Sequence, residues 1–239
     1  MRKIVIIPTY NEIENIQEII EAVFALGNNY HILIVDDQSP DGTGNKVKEL
    51  QKRYTSDLHL LSRHQKNGLG TAYVAGFDWA LKRDYDYIFE MDADFSHNPK
   101  DLDLLLQVCI NGADVGVGSR YVTGVNVVNW PLSRVLLSYF ASVYVRFVTG
   151  MDIMDTTAGF VCYHRNVLEK LQLNKIKFVG YAFQIEMKYR SYIKGFNIQE
   201  VPIIFTDRTK GQSKMSSGII KEAIFGVLQL RIKQLLNQL

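Results

Sequence analysis

The chain has 239 residues, of which 47% are hydrophobic and 22% charged, and its net charge at pH 7 is +2. That length suits one large α/β domain with a well-buried core and leaves little room for two. The composition excludes a disordered chain, and a balance so close to neutral gives no electrostatic footprint for nucleic acid. Cys109 and Cys162 sit in apolar stretches without metal or disulfide spacing and read as reduced core residues. The opening apolar run is broken by Pro8 too early for a signal peptide, and the longest apolar stretch carries Arg134 and Arg146, so neither a leader nor a membrane span is expected.

Along the chain, β-branched runs alternate with loops rich in Gly, Asn, Asp or Pro and with amphipathic stretches of helix length. Strands are expected at 4–7, 31–35, 58–61, 87–91 and 115–118, with helices at 13–25, 44–53, 72–83 and 102–111. This alternation predicts an α/β fold with a mostly parallel central sheet covered on both faces, and ligands beyond the C-terminal ends of its strands. After Ser119 the rhythm lapses into a helix over 132–149, a loop over 155–159, a strand over 160–163, a helix over 181–192, a strand over 198–205 and a basic loop over 208–214. The chain divides into a main domain over 1–216 and a C-terminal amphipathic helix over 217–239, where Ile220, Ile224, Leu228, Ile232, Leu235 and Leu239 recur at helical spacing. That stripe suits a helix lying in a membrane interface, and equally one packed on protein.

Four loops follow the first four strands: Pro8-Thr9-Tyr10-Asn11-Glu12, the segment from Asp36 to Thr43, Asn67-Gly68-Leu69-Gly70, and Asp92-Ala93-Asp94. Any one of them reads as ordinary cap and turn chemistry. Their joint occurrence at successive strand ends points instead to a ligand. Asp92 and Asp94 are expected to leave the fourth strand with both carboxylates on one side, by the two-residue period of a strand. A hard divalent cation relieves their repulsion, prefers oxygen ligands and shares them with substrate phosphates. Alone, D-x-D is a weaker indication of a metal than of a solvated turn.

In this order the loops resemble the inverting family 2 glycosyltransferases, whose Rossmann-like GT-A fold binds nucleotide-sugars. Asp37-Gln38-Ser39-Pro40-Asp41-Gly42-Thr43, Gly68-Leu69-Gly70-Thr71-Ala72-Tyr73, Asp92-Ala93-Asp94-Phe95-Ser96-His97, Gly118-Ser119-Arg120-Tyr121 and Asp155-Thr156-Thr157-Ala158-Gly159-Phe160 narrow the resemblance to the polyprenol-phosphate (dolichol-phosphate) mannosyltransferases. The resemblance runs from about residue 4 to 214 and makes 1–216 the catalytic domain. It implies transfer of mannose from GDP-mannose to a polyprenyl or dolichyl monophosphate with inversion. The protein would then act on the cytoplasmic face of a membrane, held peripherally, with a membrane-anchoring partner subunit as one option.

The resemblance also implies roles. Pro8, Tyr10, Glu12, Val35 and Asp37 would surround the nucleoside, while Asp92, Ala93 and Asp94 hold the diphosphate and Mg²⁺ or Mn²⁺. Ser96 stands where some members carry a Gln that completes the metal site. Arg120, Arg134, Arg208, Ser213 and Lys214 match positions for the acceptor phosphate, and Asp94, Arg120, Arg208 and Lys214 are expected to carry catalysis. A lipid monophosphate is already largely dianionic at neutral pH, so it needs no general base, for which Glu186 is the nearest alternative. The rival readings are a UDP-glucose-dependent polyprenyl-phosphate glucosyltransferase, a non-catalytic nucleotide-sugar-binding module, and a nucleotidyltransferase. The last would carry a Gly-rich basic loop where this chain has Pro8-Thr9-Tyr10-Asn11-Glu12.

Overall fold

The strand-forming runs pleat so that successive side chains enter opposite helix layers. A computed structural model describes residues 1–208, 210, 217–236 and 238–239, with the backbone alone at 181 and 217–223. The strands are β1 (Lys3–Thr9), β2 (Tyr30–Asp36), β3 (Leu58–Ser62), β4 (Tyr87–Glu90), β5 (Val115–Ser119), β6 (Val127–Val128), β7 (Val161–His164), β8 (Ile198–Pro202) and β9 (Phe205–Thr206). The helices are α1 (Ile16–Phe24), α2 (Thr43–Leu50), α3 (Leu69–Leu81), α4 (Leu102–Ile110), α5 (Leu132–Thr149), α6 (Arg165–Lys170), α7 (Tyr181–Ile193) and α8 (Ser217–Leu235).

Among the described residues, seven strands form one sheet in the order β3-β2-β1-β4-β7-β5-β8. Every pairing is parallel except those of β7, which runs antiparallel between β4 and β5. Val5, Ile7, Ile32 and Ile34 pack with the apolar faces of α1, α2 and α4. Ile4, Ile6, Leu33 and Val35 pack on the other side with α3, α6 and α7. Each such fully buried side chain contributes about 1.5–3 kcal/mol, and the two layers fix the register that brings the strand ends to a common edge.

Local chemistry moves several boundaries. The Glu12 carbonyl accepts from the N–H groups of Asn15 and Ile16 at 3.0 and 2.9 Å, so the chain turns before α1 and the helix begins later than residue 13. α3 begins earlier than expected because Gly68, at φ 96, brings the loop to the helix where a Cβ would lie 2.9 Å from that of Val179. The strand expected over 198–205 is two strands: β8 ends at Pro202, and β9 leaves the main sheet to pair with β6. A third apolar cluster joins Val145 of α5, Ile185 and Tyr189 of α7, and Val227 and Leu230 of α8. Ile224, Leu228, Ile232 and Leu235 of α8 stay 43–65% exposed. Among the described residues no helix is long and apolar enough to cross a membrane.

Candidate active site

β4 stops at Glu90, so Asp92, Ala93 and Asp94 lie in the turn beyond it, not on the strand. The two-residue period is therefore not what pairs the carboxylates; the turn is. The Ser96 N–H donates to Asp94 Oδ1 at 3.0 Å, the Asp92 N–H donates to His97 Nδ1 at 3.3 Å, and Phe95 takes φ 59. Arg208 Nη2 reaches Asp94 Oδ2 at 2.8 Å. Burial works to raise the Asp94 carboxyl, but Ser96 and the Arg208 guanidinium outweigh it and hold the group below the usual carboxylate range. Asp92 behaves oppositely: burial and the neighbouring Asp94 push it up to about 7, although 38% of its side chain stays exposed. That open face is accessible to a cation, whose charge would relieve the repulsion between the two carboxylates. His97, stacked on Phe160 at 4.9 Å, is pushed down to about 4 by burial and so stays neutral.

The ends of β1 and β2 form the neighbouring wall. Thr9 Oγ1 donates to Asp36 Oδ1 at 2.9 Å, and the N–H of buried Glu12 donates to Thr43 Oγ1 at 3.0 Å. Asp37 is clasped by Arg63 through Nε at 2.6 Å and Nη2 at 2.7 Å, while Arg63 Nη1 donates to Thr71 at 2.8 Å. Lys66 Nζ lies 4.1 Å from the centroid of the Tyr10 ring. Pro8 and Val35 face each other across the β1–β2 pairing, and the Val35 side chain is committed to the core. The structure thus gathers Tyr10, Glu12 and Asp37 at one end of the sheet.

The cations arrive from the second half of the chain. Arg120, directly after β5, chelates the fully buried Asp155 through Nε and Nη2, both at 2.6 Å, and Nη2 also donates to Thr157 Oγ1 at 2.8 Å. Burial would raise Asp155, but Arg120 overrides it and keeps the carboxyl below its usual range. Arg134, in the first turn of α5, pairs with Asp207 at 2.9 Å and lies 4.0 Å over the Trp130 ring. Successive residues Asp207 and Arg208 therefore tie α5 and the Asp94 turn to the same backbone. Ser213 and Lys214 lie outside the described residues. A cavity of about 420 Å³ is lined by Asp92, Arg120 and Arg134 together with apolar side chains including Leu137, Phe140 and Ile185. Glu186 does not line it: the carboxylate is fully buried and accepts from the Lys177 and Phe178 N–H groups at 2.9 and 3.0 Å and from Arg190 at 2.8 Å.

Comparison with known proteins decides the family, since the model of glycosyl transferase family 2 matches residues 4–172. The chain belongs to glycosyl transferase family 2. Within it, the chain is 48% identical over 237 residues to the polyprenol monophosphomannose synthase of Mycolicibacterium smegmatis, covering 99% of this chain and 89% of that protein. It is 44% identical over 227 residues to the undecaprenyl-phosphate mannosyltransferase of Micrococcus luteus, covering 95% and 93% respectively. The dolichol-phosphate mannosyltransferase of Pyrococcus furiosus is 36% identical, and this chain spans 64% of its length. Among solved structures, glucosyl-3-phosphoglycerate synthase from Mycobacterium tuberculosis, in complex with Mn²⁺, UDP and glucosyl-3-phosphoglycerate, superimposes with a TM-score of 0.69 at 18% identity, covering 96% of this chain and 80% of that one. At that identity the likeness concerns the fold, and it bears out the expected GT-A architecture.

The donors of this family 2 chain fit a hard divalent cation. Asp92 and Asp94 supply carboxylate oxygens, and the buried Ser96 hydroxyl beside Asp94 adds a further oxygen donor. Among the described residues, no three His, Cys, Asp or Glu side chains group to hold a metal by themselves. Two protein carboxylates suit Mg²⁺ or Mn²⁺ whose remaining positions go to phosphate oxygens and water. Sequence reasoning missed Arg63, Lys66, Trp130 and Asp207. For Arg63 a signal existed, since it follows β3 directly, as Arg120 follows β5.

Proposed function

We propose that this chain is a polyprenyl-phosphate mannosyltransferase that moves mannose from GDP-mannose to a polyprenyl monophosphate with inversion. The observation that carries the reading is the largely apolar cavity whose lining also includes Asp92, Arg120 and Arg134. A lipid phosphate has the same two-part chemistry, an anionic head on an apolar chain. Asp37, Tyr10 and Glu12 form the nucleoside end, and Asp92 and Asp94 the diphosphate end, so the anomeric carbon comes to lie between the carboxylate turn and the two arginines. The relatives' names support mannose as the sugar and a polyprenyl-type phosphate as the acceptor.

The residues then act by position and charge. Arg120 and Arg134 hold the acceptor phosphate, whose dianionic oxygen attacks the anomeric carbon as the bond to the diphosphate breaks on the opposite face. Guanidinium forks suit phosphate oxygens, and Arg208 is placed beside the leaving diphosphate. Mg²⁺ or Mn²⁺ at Asp92, Asp94 and Ser96, when bound, supplies Lewis-acid neutralisation of the charge developing there. Proton abstraction plays no part, in keeping with a Glu186 already committed to its own structural partners. Lipid access places the enzyme at a membrane surface, on the cytoplasmic face where a nucleotide-sugar is at hand. The exposed stripe of α8 and the apolar side chains of α5 face that surface.

Incubation with labelled GDP-mannose, Mn²⁺ and a short polyprenyl phosphate in detergent tests the reading. Lipid-linked mannose is expected. Product from UDP-glucose and none from GDP-mannose would replace it with the glucosyltransferase reading.

A further inference from the structure

We propose that Trp130 is a positioning residue of the acceptor-phosphate site, its indole being the shared partner that sets the guanidinium groups of Arg120 and Arg134 in the cavity lining. The proposal rests on the reading of those two arginines as the acceptor-phosphate pair. The guanidinium carbon of Arg134 lies 4.0 Å from the Trp130 ring centroid and that of Arg120 5.5 Å from it. Each arginine also has a carboxylate, Asp155 for Arg120 and Asp207 for Arg134. Arg120 also lies over the Tyr121 and Phe205 rings at 5.2 and 5.5 Å, but among the described residues the indole is the ring that faces both guanidinium groups. It therefore couples them, and two like charges converging on one dianion need such a common reference to hold their forks in a fixed relation.

The indole is itself held. Phe205 meets it edge-on at 5.2 Å, and Phe205 pairs through β9 with Val127 of β6, three residues before Trp130. Trp130 Nε1 is buried without a hydrogen-bond partner, so the ring works through its faces and not through a hydrogen bond. Trp130 also lines the cavity. A ring that packs against two cations and borders the acceptor's path transmits its placement to the phosphate, because an in-line displacement tolerates little misplacement of the attacking oxygen.

Steady-state kinetics with short polyprenyl phosphate and GDP-mannose separate this from a general structural role. Trp130→Leu is expected to raise the acceptor KM roughly 5- to 30-fold, the range that one or two desolvated cation–π contacts support, with the donor KM within about twofold. Trp130→Phe, which keeps a ring face, is expected to restore most of the acceptor KM. A parallel rise in both KM values, or no rescue by Phe, overturns the proposal. If Arg134→Ala leaves the acceptor KM unchanged, the acceptor-site reading falls; if Arg134→Ala raises it and Trp130→Leu does not, the positioning role alone falls.

Should Trp130→Leu not fold, fluorescence decides. The chain has two tryptophans, and Trp79 lies away from the cavity against His59 and Tyr85. In Trp79→Phe protein, short polyprenyl phosphate is expected to change the Trp130 emission saturably. Emission unmoved at acceptor concentrations that support full turnover overturns the proposal.

Discussion

Asp94 is gripped from two sides, by the Ser96 N–H and by Arg208, and the second grip joins residues far apart in sequence. Removing its carboxylate with Asp94→Ala should lower turnover roughly 100-fold or more, since a Lewis acid at this turn is worth several kcal/mol, while circular dichroism reports an intact fold. Retained turnover would dismiss the metal assignment. A second prediction concerns His31 and His59, both lowered by burial from the ordinary 6.5 and both within reach of the Tyr85 hydroxyl, at 3.0 and 3.4 Å. In the folded protein they are neutral where the unfolded chain takes up protons. Their stabilisation is thus present above pH 6.5 and lost as pH falls below it. Thermal unfolding midpoints should drop on acidification, and a His31→Gln, His59→Gln double variant should show a flatter profile; an unchanged slope would refute the assignment. The carboxylate turn and Arg120 were legible because their residue types stand at strand ends. Arg63 on Asp37 and Asp207 on Arg134 were not, because pairings across tens of residues leave no local pattern.

Elements with strong periodicity, β1, β2 and α5, match the sequence reading to within one or two residues. Where the reading slipped, a single backbone partner decided, as with the Glu12 carbonyl before α1. The six-residue α6 and the two-residue β6 are too short for any period to register. Gly76 of α3 sets helix propensity against packing. Alanine is the better helix former by about 1 kcal/mol, but its Cβ would lie 2.7 Å from Ile6 Cγ2 in a closed core, where overpacking costs about 1–3 kcal/mol. Packing is expected to win, so Gly76→Ala should lower stability by up to about 2 kcal/mol in urea unfolding. A stabilised variant would mean that the β1–α3 contact yields more easily than its burial implies.

For the whole molecule, the exposed apolar side chains of α5 and α8 predict association with lipid. Phe147 is 88% exposed and Phe225 70%. Burying one such ring is worth about 1.5–3 kcal/mol, so Phe147→Ser with Phe225→Ser should weaken cosedimentation with anionic phospholipid vesicles at least roughly tenfold, with turnover of a short detergent-solubilised acceptor retained. Equal binding of both proteins would argue against this face. The alternating layout and the family were readable from the first half of the chain; the element order bears out the first and the relatives the second. Strand direction was not readable, because an antiparallel β7 has the same composition as a parallel one, and its position gives the sheet a further property. Neighbouring strands stand about 4.8 Å apart. Had β4 and β5 been neighbours, Arg120 would leave the sheet one strand from Asp92 and Asp94, and the opposite charges would quench each other. The reversed strand doubles that interval to about 10 Å, and the loop that leads into it carries Asp155, the counter-ion of Arg120. It works as a gauge block: it sets Arg120 and the Asp92–Asp94 turn two strands apart, while Arg208, arriving from beyond β9, reaches Asp94 directly.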